Sequence, residues 1–259
     1  MKIFEKYAEY YDLLYQDKNY IEEANFIHQI IKEHHPKAES ILDMGCGTGN
    51  HAFCLYDKGY QITGIDNSAA NIKKSLSKAS SLDQKKSDLL FRKADVRNAR
   101  LNSSFDIVVS LFHVMSYQTT NDDLKAAFQT AKRHSNDGGI FIFDCWYGPA
   151  VLNERPTVRI KKVENENLKI TRIAEPVVFP NDNIVEVNYH LIILDKKADK
   201  ISEINETHKM RYLFKPEIQH FLSSVGFRLI DCAGWMTNKV PGFDTWGVYF
   251  VVTPDSHIR

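Results

Sequence analysis

The chain has 259 residues, 43% of them hydrophobic and 25% charged, an ordinary globular composition that excludes a disordered or collagen-like protein. Lys plus Arg and Asp plus Glu each total 33, so a formal charge of zero leaves no global field to recruit nucleic acid or an anionic membrane. No apolar run approaches the ~20 residues that cross a bilayer. The N-terminus Met1-Lys2-Ile3-Phe4-Glu5-Lys6 meets an acid where a secretory signal needs an apolar stretch. These features predict a soluble cytoplasmic protein. Cys46, Cys54, Cys145 and Cys232 form no C-x-x-C pair and the ten histidines no H-x-x-x-H spacing, which predicts buried reduced thiols and no metal site.

In chain order, apolar patterning predicts helices over residues 4–15 and 20–34, the second ending before Pro36. A strand over 40–44 runs into Gly45-Cys46-Gly47-Thr48-Gly49, and a helix over 50–58 follows, stopped by Gly59. A second strand, 60–65, places Asp66 at its end, before a helix over 68–79. Strands over 89–92, 105–111 and 139–144, with a helix over 122–133, complete an alternation typical of a parallel sheet with helices on both faces. After Pro149, β-branched alternation over 158–214, broken by turn clusters at 180–183 and 195–200, predicts an antiparallel meander of about four strands. Pro216 opens a helix to about residue 225, and strands near 228–230 and 246–252 close the chain. The expected organisation is a binding core with its N-terminal helices over 1–149, an inserted meander over 150–215, and a segment over 216–259 completing the core sheet.

The glycine cluster brings backbone close to a ligand, because glycines carry no side chain and tolerate positive φ. A dinucleotide site wants G-x-G-x-x-G, whereas this chain has Gly45-x-Gly47-x-Gly49 with Asn50 in the third-glycine position. Asp43 also opens the loop with a carboxylate, which repels a pyrophosphate and attracts a sulfonium or an α-ammonium. Electrostatics therefore favours S-adenosylmethionine over NAD.

Asp43-x-Gly45-Cys46-Gly47-Thr48-Gly49 resembles the first motif of the class I S-adenosylmethionine-dependent methyltransferases. The resemblance implies a Rossmann-like, mostly parallel sheet with an antiparallel last strand, and S-adenosylmethionine as cofactor. It implies that Asp66, with Asn67 beside it, accepts from both ribose hydroxyls, as a carboxylate can. Asp95 and Val96 match the adenine-contacting motif, and Ser110, Leu111, Phe112 and His113 the segment that wraps the methionine end. Tyr7 and Tyr11 match an N-terminal helix that the family folds over the cofactor. Asp144 resembles other carboxylates after strand five, and a plain strand-end acid is the competing reading.

The [Asp/Asn]-Pro-Pro-aromatic stretch of nucleic-acid aminomethyltransferases is missing; Ser110-Leu111-Phe112-His113 stands in its place. The chain is more similar to bacterial N-methyltransferases of nucleotide-linked amino sugars, including those acting on dTDP-3-amino-3,6-dideoxy sugars. The shared stretches are Tyr7-Ala8-x-x-Tyr11-Asp12-Leu13, Met115-Ser116-Tyr117-Gln118-Thr119-Thr120, Asp144-Cys145-Trp146-Tyr147-Gly148-Pro149, Glu186-Val187-x-Tyr189 and Tyr212-Leu213-Phe214. Residues 241–247 depart from the glycine-rich ending of the macrolide-sugar enzymes, which leaves the sugar and its amine position open. The resemblance implies a small-molecule acceptor, no nucleic-acid or membrane partner, and a meander serving as a lid and pairing subunits in a homodimer.

Candidate catalytic residues are Tyr117, His113 and Tyr7; candidate substrate contacts are Tyr117, Trp146, Tyr147 and Arg211, the last, with Lys215, for a diphosphate. His190 and His208 are expected to face solvent or pack. Two other readings stand beside the amino-sugar one: methylation of another small amine or hydroxyl, and a non-catalytic nucleotide-binding or scaffold protein.

Overall fold

A computed structural model describes residues 10–81 and 88–255. Five strands, β1 (Ser40–Met44), β2 (Gln61–Asp66), β3 (Leu89–Lys93), β4 (Phe105–Ser110) and β5 (Ser135–Tyr147), lie parallel in the order β3-β2-β1-β4-β5. The chain winds outward from β1 to β3 and then returns to place β4 on the other edge of β1. That reversal opens a crevice at the carboxyl ends of β1 and β4, where ligands of open α/β sheets bind.

Residue parity along the strands sorts the core onto two faces. Ile41, Ile107, Val109 and Ile142 pack with Ile27, Ile31, Ala52, Leu55 and Ile72, which belong to α2 (Tyr20–His34), α3 (Asn50–Tyr56) and α4 (Ala69–Ser80). Leu42, Met44, Val108, Phe141 and Phe143 pack with α5 (Asn121–His134) and α7 (Lys215–Ser224) through Phe128, Ile218 and Leu222. Phe143 stacks on Phe141 at 4.9 Å and on Phe250 at 5.2 Å between ring centroids, so truncating it to Ala would cost about 3–5 kcal/mol.

The expected meander after strand five is present as β6 (Arg159–Glu164), β7 (Leu168–Phe179), β8 (Ile184–Asp195) and β9 (Lys200–Leu213), each antiparallel to the next. Its last strand pairs in parallel with the tip of β5, at Trp146–Tyr212 and Tyr147–Leu213. The opposite edge of β5 pairs antiparallel with β11 (Gly247–Pro254), which carries β10 (Phe227–Gly234). Pairing along both edges explains why β5 extends well beyond the expected 139–144. The meander thus grows from the strand end that borders the crevice.

The expected N-terminal helix over 4–15 is represented among the described residues by the single turn α1 (Tyr11–Leu14); Tyr7 lies outside them. Leu14 is fully buried against Val163, Ile170 and Leu191 of the meander. The helix α6 (Gly148–Asn153), with Pro149 in its first turn, and the 3₁₀ turn Val114–Tyr117 had no sequence forecast, being too short to show periodicity. Among the described residues, no helix is long and apolar enough to cross a membrane.

Candidate active site

The crevice is a cavity of about 980 Å³, bounded by the glycine loop, the ends of β2 and β4, the aromatic N-terminal segment and the meander. Gly45, Gly47 and Gly49 all have positive φ, at 87°, 57° and 87°. The Gly45 and Cys46 amides donate to Ile65 O at 2.8 and 3.0 Å, pinning the loop to the end of β2. A Cβ at Gly45 would lie 2.6 Å from a Val114 methyl, whereas one at Gly47 would meet nothing within 4 Å. Gly49 holds a different position from the one expected: it is absent from the cavity wall and faces the Phe53 and Phe91 rings. Its missing side chain lets α3 pack on the sheet.

Asp66 sits at the centre of the loop. Its Oδ2 accepts from Gly47 N at 3.0 Å, and its Oδ1 from Ser68 N at 2.8 Å and Asn71 Nδ2 at 3.3 Å. Burial raises its carboxyl above the ordinary range, although these three donors oppose the shift. Asp43 lies beneath the loop at 2% exposure, and its Oδ2 has no hydrogen-bond partner. Burial, reinforced by the charge of Asp66, pushes Asp43 up to about 7. An orphaned buried carboxylate oxygen beside an open glycine cradle fits a cationic ligand carrying a hydroxylated ring. The residues therefore fit S-adenosylmethionine.

The other expected cofactor contacts divide. Cys46, Asn67, Val96, Leu111, Phe112 and Tyr11 line the cavity. Asp95 does so as well, but Arg97 grips it through Nε at 2.9 Å and a terminal nitrogen at 2.6 Å, and holds its carboxyl below the usual range. Ser110 is fully buried and donates to Met44 O at 3.0 Å, so it ties β4 to β1 and does not border the cavity.

Phe112 and His113 both adopt left-handed conformations, at φ 65°, which bulky residues hold only under constraint. Asp144 supplies the constraint for His113. It is 1% exposed, accepts from His113 N at 3.1 and 3.2 Å, and lies 2.6 Å from His113 Nδ1. The strand-end acid thus orients a cavity-lining imidazole. Beside it, Tyr117 faces the cavity, and its hydroxyl lies 3.0 Å from His208 Nδ1.

Two expected substrate contacts are corrected by strand parity and by pairing. Trp146 faces the cavity, whereas Tyr147, one residue on, turns into the core. Arg211 is 6% exposed and away from the cavity, ion-paired with Glu217 and donating to Asn121 Oδ1 at 2.7 Å. Its charge is already neutralised inside the protein. Of the two histidines expected to face solvent or pack, His208 packs, 2% exposed and edge-on to Tyr189, and also borders the cavity, while His190 stays near the surface beside Glu203 at 2.9 Å.

Tyr15, Tyr20, His51, Tyr189 and Met210 join the wall without having been anticipated. Tyr15 packs on Tyr11 at 4.7 Å and edge-on to Phe112 at 5.2 Å; its i,i+4 spacing from Tyr11 was a usable signal. His51 lies 2.6 Å from Glu23 Oε2. Burial opposes ionisation of Glu23, but His51 and Lys18 outweigh it and draw the carboxyl down to about 2. Asp12 accepts from Thr48 Oγ1 at 2.7 Å and pairs with Lys78 at 3.1 Å, which fastens α1 across the glycine loop.

Residues 41–139 match the family model of a methyltransferase domain. The chain is 25% identical over 225 residues to a dTDP-3-amino-3,4,6-trideoxy-α-D-glucopyranose N,N-dimethyltransferase of Streptomyces venezuelae, covering 86% of this chain and 90% of that one. It is 25% identical over 222 residues to the corresponding dTDP-3-amino-3,6-dideoxy-α-D-glucopyranose enzyme of Streptomyces fradiae, covering 85% and 82%. Its fold matches a solved S-adenosylmethionine-dependent methyltransferase from Clostridium acetobutylicum with a TM-score of 0.82, at 22% identity over 98% of this chain and 100% of that one. The Rossmann-like sheet expected from the sequence is therefore the fold. The matched domain, the sheet order and the carboxylate-lined glycine cradle agree: residues 41–139 match a methyltransferase domain, on a fold and with a loop that fit S-adenosylmethionine.

Proposed function

We propose that the protein transfers a methyl group to the amine of a nucleotide-linked amino-deoxy sugar. The observation that carries this reading is the two-sided cavity. One wall is the glycine loop with Asp66; the opposite wall, Tyr117, Trp146, Tyr189, His208 and Met210, comes from the meander side and is left for an acceptor. A volume of about 980 Å³ has room for a second ligand beside a cofactor. Similarity over most of the chain to two dTDP-amino-sugar N,N-dimethyltransferases supports the acceptor class.

Bound S-adenosylmethionine supplies an electrophilic methyl on a cationic sulfur. The chain's own part is alignment. Asp66 holds a ribose diol, Gly45, Cys46 and Gly47 give close backbone approach, and Asp43 balances positive charge from below. Asp95, with Val96 and Asn67, borders the adenine end, and Tyr11 with Phe112 covers the ligand. Tyr117, His113 and Trp146 face the acceptor, and the N-terminal Tyr7 is proposed to join them. Presenting an amine in line with the sulfonium methyl contributes most of the rate, since pre-organised orientation is worth up to about 7–11 kcal/mol. The 3₁₀ turn and the meander wall exclude water around that line.

The test is incubation with S-adenosylmethionine and a panel of dTDP- and UDP-linked 3-amino and 4-amino deoxyhexoses, beside free amino acids, read by mass spectrometry. A gain of one or two methyl groups on an amino sugar is expected. Methylation of amino acids alone overturns the acceptor, and no heat of binding with S-adenosylmethionine in calorimetry overturns the cofactor.

A further inference from the structure

Tyr117, His208 and Glu206 form a chain of polar groups leading from the cavity wall into the meander. Tyr117 Oη lies 3.0 Å from His208 Nδ1, and His208 Nε2 lies 3.2 Å from Glu206 Oε2. Their sequence separation of 91 residues for the first contact shows that tertiary pairing alone builds it. His208 is 2% exposed and Glu206 8%; Tyr117 and His208 both border the cavity, and with Nδ1 turned to Tyr117 Oη and Nε2 to Glu206, the Tyr117 hydroxyl is the group of this chain offered to the ligand space. A carboxylate only accepts, which assigns the imidazole proton to Nε2 and leaves Nδ1 to accept from the Tyr117 hydroxyl. Among the described residues, the groups facing this chain include Tyr189 of β8, edge-on to His208 at 4.9 Å, Arg172 of β7, 5.2 Å over the Tyr189 ring, and Tyr11, whose electrostatic neighbours include Tyr117.

We infer that this chain takes the proton from the acceptor ammonium, with Tyr117 as the catalytic contact and His208 and Glu206 as positioning residues behind it. The inference rests on the amine-acceptor reading. A free amine is protonated at neutral pH and has no lone pair to attack with. One ammonium N–H bond breaks and its proton passes to Tyr117 Oη. The Tyr117 O–H bond breaks in the same step, and that proton goes to His208 Nδ1. The imidazolium formed is stabilised by the Glu206 carboxylate, and the neutral amine then attacks the methyl carbon as the methyl–sulfur bond breaks. No net charge is created: one cation moves from the amine to the imidazole. The arrangement parallels the base-and-orienter logic of hydrolytic triads, with a phenol at the front.

The full chain is assayed with S-adenosylmethionine and dTDP-3-amino-3,6-dideoxyglucose across pH, beside Tyr117→Phe, His208→Gln and Glu206→Gln. Tyr117→Phe and His208→Gln should lower kcat about 10²-fold at neutral pH with KM little changed, and recover at alkaline pH, where solvent deprotonates the amine. Glu206→Gln should fall between. An equal loss at every pH overturns the relay, because a structural role has no reason to fade as the amine becomes neutral. Nitrogen-15 imidazole NMR gives a readout independent of any acceptor. The neutral His208 ring should be the Nε2–H tautomer, and a neutral ring with its proton on Nδ1 overturns the assignment. Should the unaltered protein methylate no amino sugar, the acceptor reading falls, and the tautomer alone decides the relay.

Discussion

The two walls of the cavity are built in opposite ways. On the cofactor side, Asp43, Gly45, Gly47 and Asp66 lie within one β-α-β unit with Ser68 directly after it, and their contacts run through backbone amides such as Gly47 N and Ser68 N to Asp66. On the side proposed for the acceptor, Tyr117, Trp146, Tyr189 and His208 come from four separate elements, and their contacts run between side chains. The lesson is that a ligand gripped by main-chain geometry can be encoded in a short motif. A pocket made of cross-strand side chains is adjustable one residue at a time, and that suits the half proposed to select the acceptor.

The contrast can be broken most forcefully at Asp66. On the proposed ribose-binding role, replacing it with Ala would remove two charge-assisted hydrogen bonds to a diol, about 2 kcal/mol each, so S-adenosylmethionine affinity by calorimetry should fall about 10³-fold. An unchanged affinity would mean that the glycine loop does not read the ribose. Next comes Arg211→Ala, which strands Glu217 beside a buried site. Urea unfolding should show a loss of about 3 kcal/mol, with acceptor KM unchanged. A raised KM with intact stability would return Arg211 to the binding role that its sequence position suggested.

A smaller effect is expected at Gly45, where a Cβ meets Val114 at 2.6 Å and φ is 87°. Gly45→Ala should destabilise by about 2 kcal/mol, and adding Val114→Ala should restore the steric part only. Asp43→Asn is the finest probe. The unfolded carboxyl ionises near 3.8 and the folded one near about 7, so between those values the folded state holds the extra proton. Stability of the ligand-free protein from this group is fullest below the lower value and declines as pH rises through the window. Asp43→Asn should therefore raise the Tm of the ligand-free protein above pH 7 and weaken S-adenosylmethionine about 10-fold. In the unaltered protein, affinity for this cation should strengthen as pH rises through about 7, as Asp43 takes on its charge. A Tm that falls in the variant would show that the carboxylate has a structural partner.

The succession of strands and helices along the chain and the cofactor loop were legible because their signals are local. Alternation marks a strand, a Gly-x-Gly-x-Gly string marks a positive-φ turn, and an acid after strand two marks the neighbouring position. Even there, position did not settle role: Gly49 serves helix packing and Ser110 holds strands together. His208 carried no local sign of its partners, since Tyr117 lies 91 residues away and the two meet only after β9 pairs with the tip of β5. Arg211 looked like a free cation until the start of α7 brought Glu217 to it.

By itself, the sequence determined the parallel sheet, the inserted meander and a carboxylate-bearing loop for a cationic donor, because hydrophobic period and backbone conformation are properties of neighbouring residues. The tertiary structure alone decided which side of each strand meets the cavity, which charges are already paired, and which imidazole stands behind Tyr117. Those outcomes depend on register between distant strands, and a shift of one residue would exchange Trp146 for Tyr147 and Met210 for Arg211 at the wall.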